Sequence, residues 1–319
     1  MTWLMWRQHR RQLWALLTAM AVLAAVLGPT GMAMHHAYDR LGLASCTATV
    51  SLPDGCPGRL DQFTGKYDSM FYVAVLLLVL PLLAGLFWGA PVVAREVEQG
   101  THRLIWTQGI TRRRWALTKI GVLTGVVAVA AAGYGLGTAW WLAPLSRLDT
   151  GTSRFAYLFF DMQGVAPVAY TVFAVVLGIA AGTTIPRTIP AMGLTLAVYA
   201  GVRTAVEMVA RPRFAAPEQT TFPVASGPGS DSSTGAGSWV LAHSVHQADG
   251  TFVTDGSMRC PVTGCSPDAP FPLQPGAYNL ETFQPADRFW AFQWLESGIF
   301  VLLAAVLIGW TVHRLRRLT

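Results

Sequence analysis

The chain has 319 residues, of which 52% are hydrophobic and only 13% charged, with a net charge of +6 and a mean hydropathy of +0.41. That balance excludes a disordered chain, which lacks apolar residues to bury, and argues against an ordinary soluble enzyme, whose charged share is about a quarter. Several apolar runs exceed the roughly 18 residues needed to cross a hydrocarbon layer about 30 Å thick. The surplus positive charge is therefore read as an orientation signal and not as affinity for nucleic acid.

Six stretches have the length of membrane-spanning helices: 12–34, 68–92, 115–143, 163–182, 190–210 and 289–312. The first follows Arg7, Arg10 and Arg11 and imitates a signal peptide. Its apolar run outlasts a typical h-region and no clear small-x-small cleavage site follows Gly28-Pro29, so it is kept as a span. In the second, Pro81 predicts a kink, because its ring removes one backbone hydrogen bond. The third carries Gly121-x-x-x-Gly125 and Gly133-x-x-x-Gly137, and the fourth carries Gly178-x-x-x-Gly182. Such spacing lets helix backbones approach closely, first of all within the chain. The turn Thr183–Arg187 makes the fourth and fifth spans a helical hairpin. Arg203 and Glu207 lie four apart in the fifth and are expected to pair on one helix face. Glu296, near the outer end of the sixth, is expected to be wet.

The distribution of Lys and Arg sets the orientation. Arg7, Arg10, Arg11, then Arg95, Arg103, Arg112, Arg113, Arg114 and Lys119, then Arg187, then Arg314, Arg316 and Arg317 crowd short segments on one side. The basic residues of the other side are spread over longer segments. Both termini are therefore expected in the cytoplasm. Trp3, Trp6, Trp14, Trp106 and Trp115 then lie near the inner face and Trp140, Trp141, Trp290 and Trp294 near the outer one, at the depths where an indole edge stays wet.

With that orientation all four cysteines lie outside: Cys46 and Cys56 in the first outer segment, Cys260 and Cys265 in the last. Pairing within each segment is the natural expectation in an oxidising compartment. The alternative joins His243, His246, Cys260 and Cys265 in a zinc site, although the histidine spacing suits a helix better than the strand suggested by Trp239-Val240-Leu241. Pro, Gly and Ser crowd 217–238, and Trp239–Thr254 alternates weakly around an Asp249-Gly250 turn signal. The segment 212–287 is thus expected to form a small, partly β extracellular cap. The other segments are expected to be a cytoplasmic N-terminus (1–11), spans one to five (12–211) with a cytoplasmic loop at 93–114, and the sixth span with its tail (288–319).

The most informative stretch is Pro91–Lys119. Gly100 can end the helix leaving the second span, and Thr101 can cap the short segment after it. His102–Gln108 sets Leu104, Ile105 and Trp106 between polar residues, Gly109 breaks it, and Thr111 can cap the third span. This reads either as a helix on the membrane surface with a positive-inside cluster or as a docking element for a cytoplasmic partner. Glu96 and Glu98 favour docking, since acids gain nothing from anionic lipid.

Ala94-Arg95-Glu96-Val97-Glu98-Gln99-Gly100-Thr101, with Trp106-Thr107-Gln108, Thr111–Trp115 and Lys119, resembles the first cytoplasmic loop of ABC-2 type ABC transporter permeases, the actinobacterial ones in particular. Asp161–Tyr170, with Gly178, Gly182, Arg187 and Pro190-Ala191-Met192, and Gln284–Trp290, with Phe292-Gln293-Trp294, resemble further stretches of that family. The resemblance covers most of the chain and is weakest at 30–66 and 212–280. It implies six spans with both ends inside a bacterial plasma membrane. Arg95, Glu96, Glu98, Gly100, Thr101, His102, Arg103, Leu104, Trp106 and Gln108 would be coupling residues, with 101–108 as a helix in the cleft of a separate ATPase. It also implies a second permease copy or a sister chain. The last outer segment departs from the family pattern, which often has short re-entrant helices there; here it is long and polar.

Gly-x-x-x-x-Gly-Lys-Ser/Thr, His-Glu-x-x-His and Gly-x-Ser-x-Gly do not occur, so the chain carries no recognised nucleotide or hydrolytic motif. The expectation is an all-α polytopic membrane protein, not itself an enzyme and without a metal or cofactor of its own. ATP and Mg would be bound by the partner ATPase, and the chain would export a hydrophobic or amphipathic substrate among membrane lipid. The alternative is a non-transporting anchor or sensor whose extracellular cap binds a ligand.

Overall fold

The computed structural model describes residues 2–46, 55–67, 69–98, 112–148, 153–185, 187–224, 234, 237–258, 260 and 273–317. Among them six helices are long and apolar enough to cross a membrane: Leu13–Arg40, Tyr72–Arg95, Ile120–Ser146, Ala166–Thr184, Thr188–Arg213 and Ala286–Arg314, the first to sixth spans. The chain is thus a mostly helical membrane protein with a small antiparallel sheet, the expected fold class. Six crossings return both chain ends to one side. That side also holds the end of the second span and the turn before Thr188, which meet where the Thr188 hydroxyl donates to Glu98 Oε2 at 2.9 Å. The sheet lies at the other end.

The fourth span is the hub, with 89% of its most apolar window buried against 6% for the first span. Glycine makes this possible. A Cβ on Gly178 would lie 2.5 Å from the Gly85 carbonyl oxygen and 2.6 Å from the Ala90 nitrogen, and one on Gly85 would lie 2.6 Å from the Ala174 oxygen. The second and fourth spans therefore touch backbone to backbone, as Gly178-x-x-x-Gly182 suggests. A Cβ on Gly121 or Gly125 of the third span would meet nothing within 4 Å among the described residues. The outward faces carry exposed Val129, Leu136 and Ile189, suited to lipid contact.

The second span breaks where Pro81 requires it. Helix Met70–Leu78 ends at Val79, helix Leu80–Ala84 follows, a π turn covers Gly85–Gly89, and helix Ala90–Glu98 ends the span. Proline at 81 cannot donate to the carbonyl four residues earlier, at Leu77. The buried Tyr134 hydroxyl of the third span donates to that oxygen at 3.1 Å. Tyr134→Phe is expected to lower stability by about 1 kcal/mol, read as a lowered thermal midpoint in detergent.

The segment between the first and second spans adds a helix, Cys56–Tyr67, clipped to the turn Leu43–Cys46 by a Cys46–Cys56 disulfide. Its Phe63 and Tyr67 pack with Met34, Tyr38, Leu43 and Leu148, and the Tyr67 hydroxyl donates to the Ala33 carbonyl at 2.9 Å.

The sheet comprises β1 (Glu218–Pro223), β2 (Trp239–His246), β3 (Phe252–Asp255) and β4 (Tyr278–Gln284), in the order β1-β4-β2-β3 with antiparallel neighbours. The Asp249-Gly250 signal is realised between β2 and β3. Gly250 takes φ +88°, the Gln247 amide donates to the Thr251 carbonyl at 2.9 Å, and the Asp249 carboxylate accepts from the Thr251 amide and hydroxyl. Those donors favour the ionised form and hold the Asp249 carboxyl below its ordinary pKa. β4, the central strand with β2, escapes a hydropathy reading because its buried residues are Asn279, Glu281 and Gln284. Phe155 stacks on Trp239, and Gln284 Nε2 donates to the Ala215 carbonyl at 2.8 Å, docking the sheet onto the bundle.

Candidate functional site

Four charged side chains converge where the fourth, fifth and sixth spans meet near the sheet. Asp161 comes from the segment before the fourth span, Arg203 and Arg211 from the fifth, and Glu296 from the sixth. Asp161, Arg211 and Glu296 are buried, at 4%, 1% and 0% exposure, and the Arg203 side chain is 12% exposed. Arg211 donates from Nε to Glu296 Oε2 at 2.7 Å and from Nη2 to Asp161 Oδ1 at 2.8 Å. Arg203 pairs with Asp161 and donates to Glu296 Oε1 at 3.0 Å. Each acid thus meets both guanidinium groups, and the formal charges cancel. The Tyr170 hydroxyl of the fourth span donates to Glu296 Oε1 at 2.6 Å. The Arg203 guanidinium lies 4.2 Å from the Tyr170 ring centroid and that of Arg211 4.1 Å from the Phe160 ring centroid, where the ring quadrupole attracts a desolvated cation.

The backbone explains the convergence. Eight residues of α-helix would place Arg211 about 80° around the axis from Arg203. A π turn at Val206–Ala210 has more residues per turn and takes back much of that offset. On the sixth span, Gln293 lies one turn before Glu296. It accepts from the Ala166 amide at 3.0 Å and donates to the Phe160 carbonyl at 2.6 Å, so a side chain of the sixth span caps the start of the fourth. Phe292 and Phe300, a turn to either side of Glu296, enter the aromatic core with Phe155, Phe160, Tyr170 and Phe173. Isolated charges at this depth are costly, and each here has its counter-charge within hydrogen-bonding distance.

Two expectations are corrected. Arg203 does not pair with Glu207: its guanidinium is committed to Asp161 and Glu296, while Glu207 is partly exposed and makes no hydrogen bond or ion pair among the described residues. The π turn begins between the two residues and upsets the α-helical spacing on which an i, i+4 pair depends. Glu296 is not wet, because its helix presents that face to the fourth and fifth spans. Asp161, Arg211 and Tyr170 were missed as site residues. The available signal was two acids and two arginines at or beside the sheet ends of neighbouring spans in a chain poor in charge.

Of the residues expected to couple to an ATPase, Arg95 and Glu98 are exposed at the end of the second span. Glu96 lies on the same helix, and its side chain is outside the described set. Gly100, Thr101, His102, Arg103, Leu104, Trp106 and Gln108 lie outside the described residues. Cys260 is disulfide-bonded, and its expected partner Cys265 lies outside the described residues. The four-ligand zinc alternative therefore fails. His246 is also turned away from it, stacked on Tyr278 and bonded to the Gly250 carbonyl.

Six apolar crossings, a fully paired ionic cluster among three of them and a small sheet at one end define a multi-pass membrane protein. Residues 17–211 match the family described as ABC-2 membrane transporter related, and the chain belongs to that family. Its members are typically permease components without a catalytic domain. No curated protein and no solved structure matches the chain significantly.

Proposed function

We propose that the chain is the membrane-spanning subunit of an ATP-driven ABC exporter. A separate cytoplasmic ATPase holds ATP and Mg, and two membrane subunits, two copies or this chain and a sister, line the pathway through a bacterial plasma membrane. The single observation that carries this reading is the mechanical continuity from the end of the second span to the sheet end. Glu98 meets Thr188 at the start of the fifth span, and Gly85 and Gly178 join the second span to the fourth. The ionic cluster then joins the fourth span to the fifth and sixth. A push on residues 101–108 would move these helices as one body and open the pathway at the sheet end. The basic clusters around residues 7–11 and 112–114 support placing the loop side in the cytoplasm. The Cys46–Cys56 disulfide at the other end fits an oxidising exterior.

The test is co-purification with the candidate ABC ATPase and a transport assay. The Glu96→Ala, Glu98→Ala double variant is expected to lose ATPase association and transport by tenfold or more, in line with the loss of two charge-assisted contacts. Full association and transport in that variant would refute the coupling role of this helix end.

A further inference from the structure

Glu281 is a fully buried carboxyl group in the sheet, outside the spans and the ionic cluster. On β4 it stands between Thr220 of β1 and His243 of β2, its partners in register, and residues opposite one another in antiparallel strands share a face. Its Oε1 accepts from the Thr234 hydroxyl at 2.6 Å. Its Oε2 has no hydrogen-bond partner among the described residues, and neither has the buried Nδ1 of His243. These two atoms lie 4.0 Å apart. Leaving a buried donor or acceptor unbonded is costly, and here two of them face each other.

Among the described residues no other charge is available to Glu281. Asn279, two residues along the same face of β4, is bonded to the amide and carbonyl of Met258. Glu218 of β1, on that face too, pairs with Arg288. Asp255 of β3 stands opposite Ser244, on the other face of the sheet. His246 is also on the other face, where it bonds to Ser244 and to the Gly250 carbonyl. One proton satisfies both orphaned atoms. On Nδ1 it is donated to Oε2, and on Oε2 it is donated to Nδ1, once the pair closes by about 1 Å to an ordinary hydrogen-bond length. The His243 side chain is 34% exposed, so its ring can take that proton from solvent.

We propose that His243 and Glu281 form a proton-operated latch: uptake of one proton ties β2 to β4 through these side chains and steadies the carboxylate that holds Thr234, and loss of the proton loosens both. Above about pH 6.5 a free imidazole is neutral, so the latched chain then carries one proton more than the unfolded chain. The stabilisation is therefore fully present below that pH and is lost as pH rises. β4 leads through Ala286–Arg288 directly into the sixth span, so the latch makes the sheet end of the molecule sensitive to acidity. It stands apart from the exporter reading and needs no ATPase.

Hydrogen exchange of the peptide covering β4, in the full-length chain in one detergent, tests the proposal. Protection is compared at about pH 5.5 and about pH 8, on either side of the imidazole range, after correction for intrinsic exchange. Wild type is expected to be about tenfold more protected at the acid pH, the size of one charge-assisted hydrogen bond. His243→Gln is expected to give the same protection at both. Glu281→Gln should also lose the pH dependence, because its amide donates to the neutral ring without a proton from solvent. His246→Gln, altered on the opposite face, should keep the wild-type ratio. Equal protection of wild type at the two pH values, a pH dependence that survives in His243→Gln, or its loss in His246→Gln would each overturn the proposal. If Glu281→Gln fails to fold, the two histidine variants still decide.

Discussion

Arg211→Met is expected to destabilise the chain by about 3–5 kcal/mol, because it strands buried acids. Arg211 is almost fully buried and bridges Asp161 and Glu296 through its Nε and Nη2 donors. Without it, two carboxylates in a nearly dry site share only Arg203. Arg211→Lys is expected to restore little, because an ammonium is a point charge and cannot span both acids as the planar guanidinium does. Adding Glu296→Gln to Arg211→Met should recover part of the loss, since it removes the stranded charge and the two sites are directly coupled. Arg213→Met is the matched control: Arg213 lies two residues on and is exposed. Thermal midpoints in one detergent would decide the matter. Equal midpoints for Arg211→Met and Arg213→Met would mean that the cluster does not hold the three spans together.

Gly178→Ala is expected to cost about 1–3 kcal/mol, and Gly178→Val more, through overpacking. The added Cβ would meet the Gly85 oxygen, the Ala90 nitrogen and the Gly89 carbonyl carbon at 2.5–2.8 Å. These are backbone atoms, which cannot rotate aside, so the second and fourth spans must separate. Gly121→Ala and Gly193→Ala give the contrast, because among the described residues an added Cβ at either glycine would meet no atom of another element within 4 Å. There alanine should be neutral or stabilising by up to about 1 kcal/mol, the helix-propensity difference. A midpoint for Gly178→Ala no lower than for Gly121→Ala would show that the two backbones are not in contact. Transport measured beside stability would test whether the same contact carries motion between spans.

The features legible in the sequence are those that a single helix or turn determines alone. Apolar length marks a crossing, Pro81 marks a break, Asp249-Gly250 marks a hairpin, and two cysteines close together at one end form a bridge. Each depends on neighbours within a few residues. The ionic cluster does not. Its members come from positions 161 to 296, and a one-dimensional pattern does not say which face each helix turns inward. The Arg203–Glu207 expectation failed for that reason: i, i+4 spacing holds only while the helix stays α, and a π turn begins within three residues of Arg203.

The amino-acid order by itself determined the number of crossings, the grouping of basic charge on one set of segments, and the local breaks, because burial of about 20 apolar residues is a property of the segment alone. Only the tertiary structure decided that Glu296 lies in a dry pair of arginines, that β4 hides polar residues, that Gly178 rather than Gly121 is pressed against another backbone, and that Glu207 makes no ion pair with Arg203. Those outcomes depend on the rotation of each helix against its neighbours. That rotation is set by the packing of many side chains at once and by a π turn whose cost no single residue announces.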